Sequence, residues 1–121
     1  MGAGERGGDI SKVLKYGPLN YLSNTNTRAL ATDFFNTNRA VHVAPHLLST
    51  SLRWKDVLDK LDDLISYLIT DFNVDPDRVH LTGLSMGGQG VWEYGIKYGG
   101  RLATVIPCAA SLQTSVATQD F

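Results

Sequence analysis

The stretch Arg78-Val79-His80-Leu81-Thr82-Gly83-Leu84-Ser85-Met86-Gly87-Gly88-Gln89-Gly90 decides how this chain is read. Arg78 to Leu84 reads as a buried strand. Met86 to Tyr98 has the pattern of a helix despite its glycines, and Gly99-Gly100 is its stop signal. Ser85 sits at the junction, with Gly83 two positions before it and Gly87 two positions after. Gly-x-Ser-x-Gly is short enough to arise by chance. A strand before it and a helix after it turn the pattern into a sharp strand-to-helix turn that presents a serine hydroxyl.

The chemistry accounts for the spacing. A hydroxyl that attacks a carbonyl carbon has to project alone above the edge of a sheet. The crowded turn beneath it is relieved by small residues on both sides, and both are glycines here. The start of the following helix offers free N–H groups and a positive dipole end. The N–H of Met86 is therefore the expected donor to an oxyanion. The plain alternative is that Ser85 caps the helix. An ordinary cap does not call for glycine on both flanks.

Outward from this centre, Ala103 to Ala110 is a second apolar run of strand length. Trp54, Val57, Leu58, Leu61, Leu64, Ile65, Leu68, Ile69 and Phe72 repeat with the spacing of an amphipathic helix. Its stripe is expected to pack on a sheet, and its acidic side to be solvated. Ala40 to Pro45 reads as a short strand closed by proline. Val13 to Leu22 predicts a short helix broken at Gly17-Pro18, Ser23 to Asn26 a turn, and Arg28 to Phe35 another short helix. The alternation of strand and helix predicts an α/β domain with a parallel sheet flanked by helices.

The chain has 121 residues, with 43% hydrophobic and 19% charged residues, enough for one domain. A formal charge of −1 argues against nucleic acid as a partner. No apolar stretch approaches the length of a membrane span. The N-terminus lacks an apolar signal-peptide core, which favours a cytoplasmic location. Cys108 is the one cysteine, so no intrachain disulfide is available, and its apolar strand predicts a small core residue. Asp75-Pro76-Asp77 lacks the ligand pattern of a calcium loop, so no metal is expected.

Gly2-Ala3-Gly4-Glu5-Arg6-Gly7 fits Gly-x-Gly-x-x-Gly formally, but no strand precedes it to support a dinucleotide site. Two readings remain open. One is a loop bringing the N–H of Ala3 or Gly4 to an oxyanion. The other is a flexible terminus.

Here a family resemblance becomes specific. Gly2-Ala3-Gly4-Glu5-Arg6-Gly7 resembles the oxyanion loop of the dienelactone-hydrolase and predicted-peptidase esterases of the α/β-hydrolase superfamily. Val43-Ala44-Pro45 resembles the end of their fourth strand. Asp75-Pro76-Asp77-Arg78-Val79 and Leu81-Thr82-Gly83-Leu84-Ser85-Met86-Gly87-Gly88-Gln89-Gly90 are similar to their elbow. Trp92-Glu93 and Ile106-Pro107 continue the likeness. The resemblance implies a partial α/β-hydrolase fold over 1–121, lacking the family's first three strands and its last. It implies a serine ester hydrolase acting on small acyl esters, with no cofactor.

Met1 stands where the family has a histidine, and the family's triad acid and histidine fall beyond the last strand. The implied activity is therefore weak, and small activated esters such as p-nitrophenyl acetate are its expected substrates. The alternative is a truncated or degenerate hydrolase serving as a binding module or inactive fragment. Among local histidines, His80 lies five residues before Ser85, about 16 Å along an extended chain. His42 sits mid-strand and reads as a packed core histidine. His46 follows the strand end, where α/β sites form, and is the candidate base. Asp9, Asp120 and Glu5 are candidate acids that spacing does not separate. The family's third strand sits between its fourth and fifth. Its absence predicts open edges, with two ways out: the chain is part of a longer protein, or it folds alone as a homo-oligomer with strands repaired, swapped or shared.

Overall fold

The computed structural model describes residues 2–111. Met1 and the candidate acid Asp120 lie outside that range. The architecture is mixed α/β, with one small parallel sheet and several helices. In chain order the elements are α1 (Pro18–Ser23), α2 (Arg28–Asn38), α3 (Leu58–Asp71), β1 (His80–Leu84), α4 (Met86–Tyr98) and β2 (Thr104–Cys108). Short 3-10 turns link them, including Ala3–Glu5 and Trp54–Val57.

The sheet has two strands. β1 pairs with β2 in parallel, His80 opposite Thr104 and Leu84 opposite Cys108. α4 is the crossover between them, so residues 80–108 form one βαβ unit. Leu81 and Gly83 of β1, with Val105 and Pro107 of β2, are partly covered. His80, Thr82, Leu84, Thr104, Ile106 and Cys108 alternate onto the exposed face. Cys108 is therefore an exposed residue, not the core residue its apolar run predicts, and β1 is covered on one face only, not the buried strand its sequence predicts.

Glycines let α4 lie close to its neighbours. A Cβ on Gly88 would come within 2.8 Å of the Cys108 carbonyl, and one on Gly90 within 2.4 Å of Trp54. The core has two parts. Leu47, Trp54 and Met86 form one, and Leu58, Ile65 and Tyr94 the other. The apolar stripe of the long helix packs inward from Leu58 to Ile69, but the expected first turn, Trp54–Val57, is a separate 3-10 segment and Phe72 lies past the helix end, exposed. Part of its acidic side does not stay solvated. Asp62 Oδ1 accepts hydrogen bonds from the Tyr94 hydroxyl at 2.7 Å and from Arg101 Nη1 at 2.5 Å. Arg101 Nη2 reaches Ser66 Oγ at 3.0 Å.

The expected strand Ala40–Pro45 does not form. These residues join no ladder among the described residues. Alternating apolar residues give strand propensity, but a strand also needs a neighbour to take its N–H and C=O groups. Val41 and Val43 are exposed, and the ring of His42 lies 5.9 Å from that of Phe35. Arg28–Asn38 runs one turn longer than its pattern predicts. It closes on Arg39 in the left-handed conformation, φ 49°. The helix across Gly17-Pro18 splits as expected: Ile10–Lys15 is 3-10 and α1 begins at Pro18.

Candidate functional site

Ser85 lies between the last residue of β1 and the first of α4, with φ 56° and ψ −119°. Of the described non-glycine residues, only Arg39, Asn73 and Ala109 share its positive φ. Such a conformation costs about 1–3 kcal/mol and persists only where the surroundings impose it. Here they do so through backbone. The Ser85 N–H donates to the Cys108 carbonyl at 2.9 Å, and the Ser85 carbonyl accepts from the Gln89 N–H at 3.0 Å. Both bonds use main-chain groups and leave the hydroxyl free of them. The side chain makes no capping hydrogen bond, and the residue is exposed. The N-cap reading of Ser85 is thereby set aside.

Gly83 and Gly87 meet at the turn. A Cβ on Gly83 would lie 2.4 Å from the Gly87 carbonyl oxygen. Met86, first residue of α4, is buried against Leu47 and Trp54. Its N–H belongs to the helix start, where backbone donors have no intrahelical acceptor.

The glycine loop is built against this turn. A Cβ on Gly2 would lie 4.0 Å from that of Ser85 and 2.9 Å from Glu5 Oε2. The loop is also tied down. The Gly2 N–H donates to Glu5 Oε2 at 2.7 Å, and the Gly7 N–H to the Leu47 carbonyl at 3.0 Å. Arg6 donates through Nε to the Ala3 carbonyl at 3.1 Å and through Nη1 to the Leu52 carbonyl at 2.9 Å. An anchored loop, rather than a flexible terminus, follows from these bonds. Ala3 and Gly4 open its 3-10 turn, the place expected of exposed N–H donors.

The candidate base is placed differently. His46 Nε2 lies 2.7 Å from the Glu5 carbonyl oxygen. A carbonyl only accepts, so Nε2 is the donor in this bond. Nδ1 is buried and has no partner among the described residues. No hydrogen bond joins His46 to Ser85. His80 pairs with Thr104 Oγ1 at 2.9 Å on the exposed sheet face. His42 is half-buried, and burial pushes its pKa below the ordinary histidine value.

The candidate acids separate once placed. Asp9 caps the turn that follows it, accepting from the Ser11 hydroxyl at 2.6 Å and the Ser11 N–H at 3.0 Å. Those bonds, the hydroxyl's first, hold its carboxyl below the usual value. Glu5 is 7% exposed, and its carboxylate serves the loop itself. Sequence reasoning grouped Glu5 with the other acids and gave Arg6 no role. Only the folded loop distinguishes them.

An apolar groove of about 500 Å³ lies between α1 and α2, lined by Pro18, Tyr21, Leu30, Phe34 and Phe35 among others. Ser85 does not line it. Among the described residues, no group of three or more histidine, cysteine or acidic side chains is arranged to hold a metal ion. No described helix is long and apolar enough to cross a membrane. No family model, curated protein or solved structure matches the chain.

Proposed function

We propose that the chain carries the nucleophile and oxyanion loop of a serine ester hydrolase, on part of an α/β-hydrolase fold. The observation that carries this reading is the backbone of Ser85, φ 56° and ψ −119°, imposed at a strand-to-helix turn with the hydroxyl uncapped. That is the strained geometry a nucleophile elbow requires. The approach of the Gly2 loop to Ser85 supports it further. Ser85 Oγ attacks the ester carbonyl carbon, its proton passes to the departing alkoxide, and the C–O bond of the tetrahedral intermediate breaks to release the alcohol and leave an acyl-serine. The N–H of Met86 and that of Ala3 or Gly4 take the developing negative charge. Water then releases the acid. Small activated esters are the expected substrates.

A second reading has one observation in its favour. No histidine or carboxylate hydrogen-bonds Ser85 among the described residues. A serine without a base is a weak nucleophile, and such a chain would bind without turning over.

A fluorophosphonate probe separates the two. On the esterase reading the wild-type protein is phosphonylated at Ser85, as peptide mass mapping shows, and p-nitrophenyl acetate is hydrolysed slowly. Ser85→Ala loses both. A wild-type protein that neither labels nor hydrolyses leaves the non-catalytic reading standing.

A further inference from the structure

We infer that Glu5 and Arg6 are a positioning pair that sets the direction of the loop's N–H groups beside Ser85. The inference rests on the esterase reading for its purpose, but its geometry stands independently. The Glu5 carboxylate takes the Gly2 N–H at 2.7 Å, which removes Gly2 from the set of available donors. Arg6 Nε takes the Ala3 carbonyl at 3.1 Å. A trans peptide is planar, and its C=O and N–H point in opposite directions. No cis peptide occurs among the described residues. Fixing the Ala3 carbonyl therefore fixes the Gly4 N–H on the opposite side of the same plane. The Gly2 carbonyl accepts the Glu5 N–H at 3.4 Å, which orients the Ala3 N–H by the same rule.

The pair is anchored to the rest of the molecule. Arg6 Nη1 donates to the Leu52 carbonyl at 2.9 Å. The Glu5 carbonyl accepts from His46, and the Arg6 carbonyl from Lys12 Nζ at 2.9 Å. Lys15 Nζ approaches Glu5 Oε1 at 3.8 Å from a largely exposed position, where screening leaves little energy. Two features make the residue types specific. Glu5 is nearly buried, so its charge is spent on the loop and not on solvent. Arg6 bridges two carbonyls with one rigid fork, which a lysine ammonium on a flexible stem does not reproduce.

The test combines kinetics with an observable that needs no turnover. In 1H–15N NMR spectra of the 121-residue chain, Glu5→Ala and Arg6→Lys shift the Ser85 and Met86 amide resonances. They also speed exchange of the Gly7 amide about tenfold or more. Glu5→Gln keeps an accepting oxygen for the Gly2 N–H and stays near wild type. In p-nitrophenyl acetate hydrolysis, Glu5→Ala lowers kcat about 10- to 100-fold and leaves KM unchanged, as a misplaced oxyanion donor requires. Unchanged Ser85 and Met86 resonances in Glu5→Ala overturn the inference. So does a Glu5→Gln protein as impaired as Glu5→Ala, or a loss confined to KM. A wild-type protein that does not label at Ser85 overturns the esterase reading instead, and the amide measurements still decide the clamp.

Discussion

Gly83 and Gly87 approach so closely that a methyl group on Gly83 would overlap the Gly87 carbonyl, 2.4 Å from its oxygen and 2.5 Å from its carbon. The obstacle is backbone, so no rotamer change relieves it. Gly83→Ala is expected to cost about 3 kcal/mol, at the upper end for overpacking. Urea denaturation measures the loss, and fluorophosphonate labelling falls with it because β1 and α4 separate at the turn. An alanine variant as stable as the parent would mean that the turn opens beyond the 2.4 Å approach.

Ser85 and Ala109 hold positive φ without being glycine, at 56° and 48°. Each stores strain that glycine releases, against a smaller entropic cost of glycine in the unfolded chain. Ser85→Gly and Ala109→Gly should each stabilise the protein by about 1 kcal/mol. Ser85→Ala keeps the strain and gains nothing comparable. Melting temperatures of the three variants check the order. Loss of activity in Ser85→Gly with a gain in stability would be the signature of a function held against the fold's preference.

The Asp62 carboxylate joins α3 to α4 and to the turn beyond it. Tyr94, fully buried, donates its hydroxyl to Asp62, and burial pushes its pKa above the ordinary tyrosine value. Tyr94→Phe should cost about 1 kcal/mol, the loss of one net hydrogen bond. Asp62→Ala should cost about 2 kcal/mol, because it strands the buried Tyr94 hydroxyl and removes the carboxylate partner of Arg101. A double-mutant cycle should give a clear coupling between positions 62 and 94. Additive losses would mean that the bond contributes nothing.

Glu93 is partly buried on α4, and burial raises its carboxyl above the ordinary value of 4.5. A raised folded pKa means that the native state binds the proton more tightly than the unfolded chain. Stability from this group is then fullest below the unfolded value and falls as pH rises through the raised one. Glu93→Gln removes that slope. The variant should be more stable than the parent at pH 7 and little different at pH 3. Denaturant midpoints at the two pH values decide it, and an equal difference at both would remove burial as the cause.

Much of the fold was legible because its signals are local. The Gly83-to-Gly90 spacing required a strand, a tight turn and a helix, and β1 and α4 have those places. The apolar stripe likewise gave α3 and its inward face between Leu58 and Ile69, though not the 3-10 start at Trp54 or the exposed Phe72. What failed depended on neighbours. Ala40 to Ala44 alternates as a strand does, but pairing needs an adjacent edge. Cys108 looks apolar, but which strand face is covered depends on where α4 crosses. His46 occupies the right end of its segment, yet its ring turns to the Glu5 carbonyl. Glu5 and Arg6 could not be told from surface charges, because their partners are main-chain groups with no sequence signature.

The main-chain contacts that bend Ser85 come from residues 83–110: the Gly83–Gly87 approach, the Cys108 carbonyl and the fit of Gly88 against Cys108 and Ala110. The bend is thus written mostly into one βαβ unit, but α4 also leans on Leu47 and Trp54 from outside that unit. On the esterase reading, the groups that arm the hydroxyl come from outside that unit. Evolution or design can therefore exchange the arming groups, or discard them, without unmaking the bend.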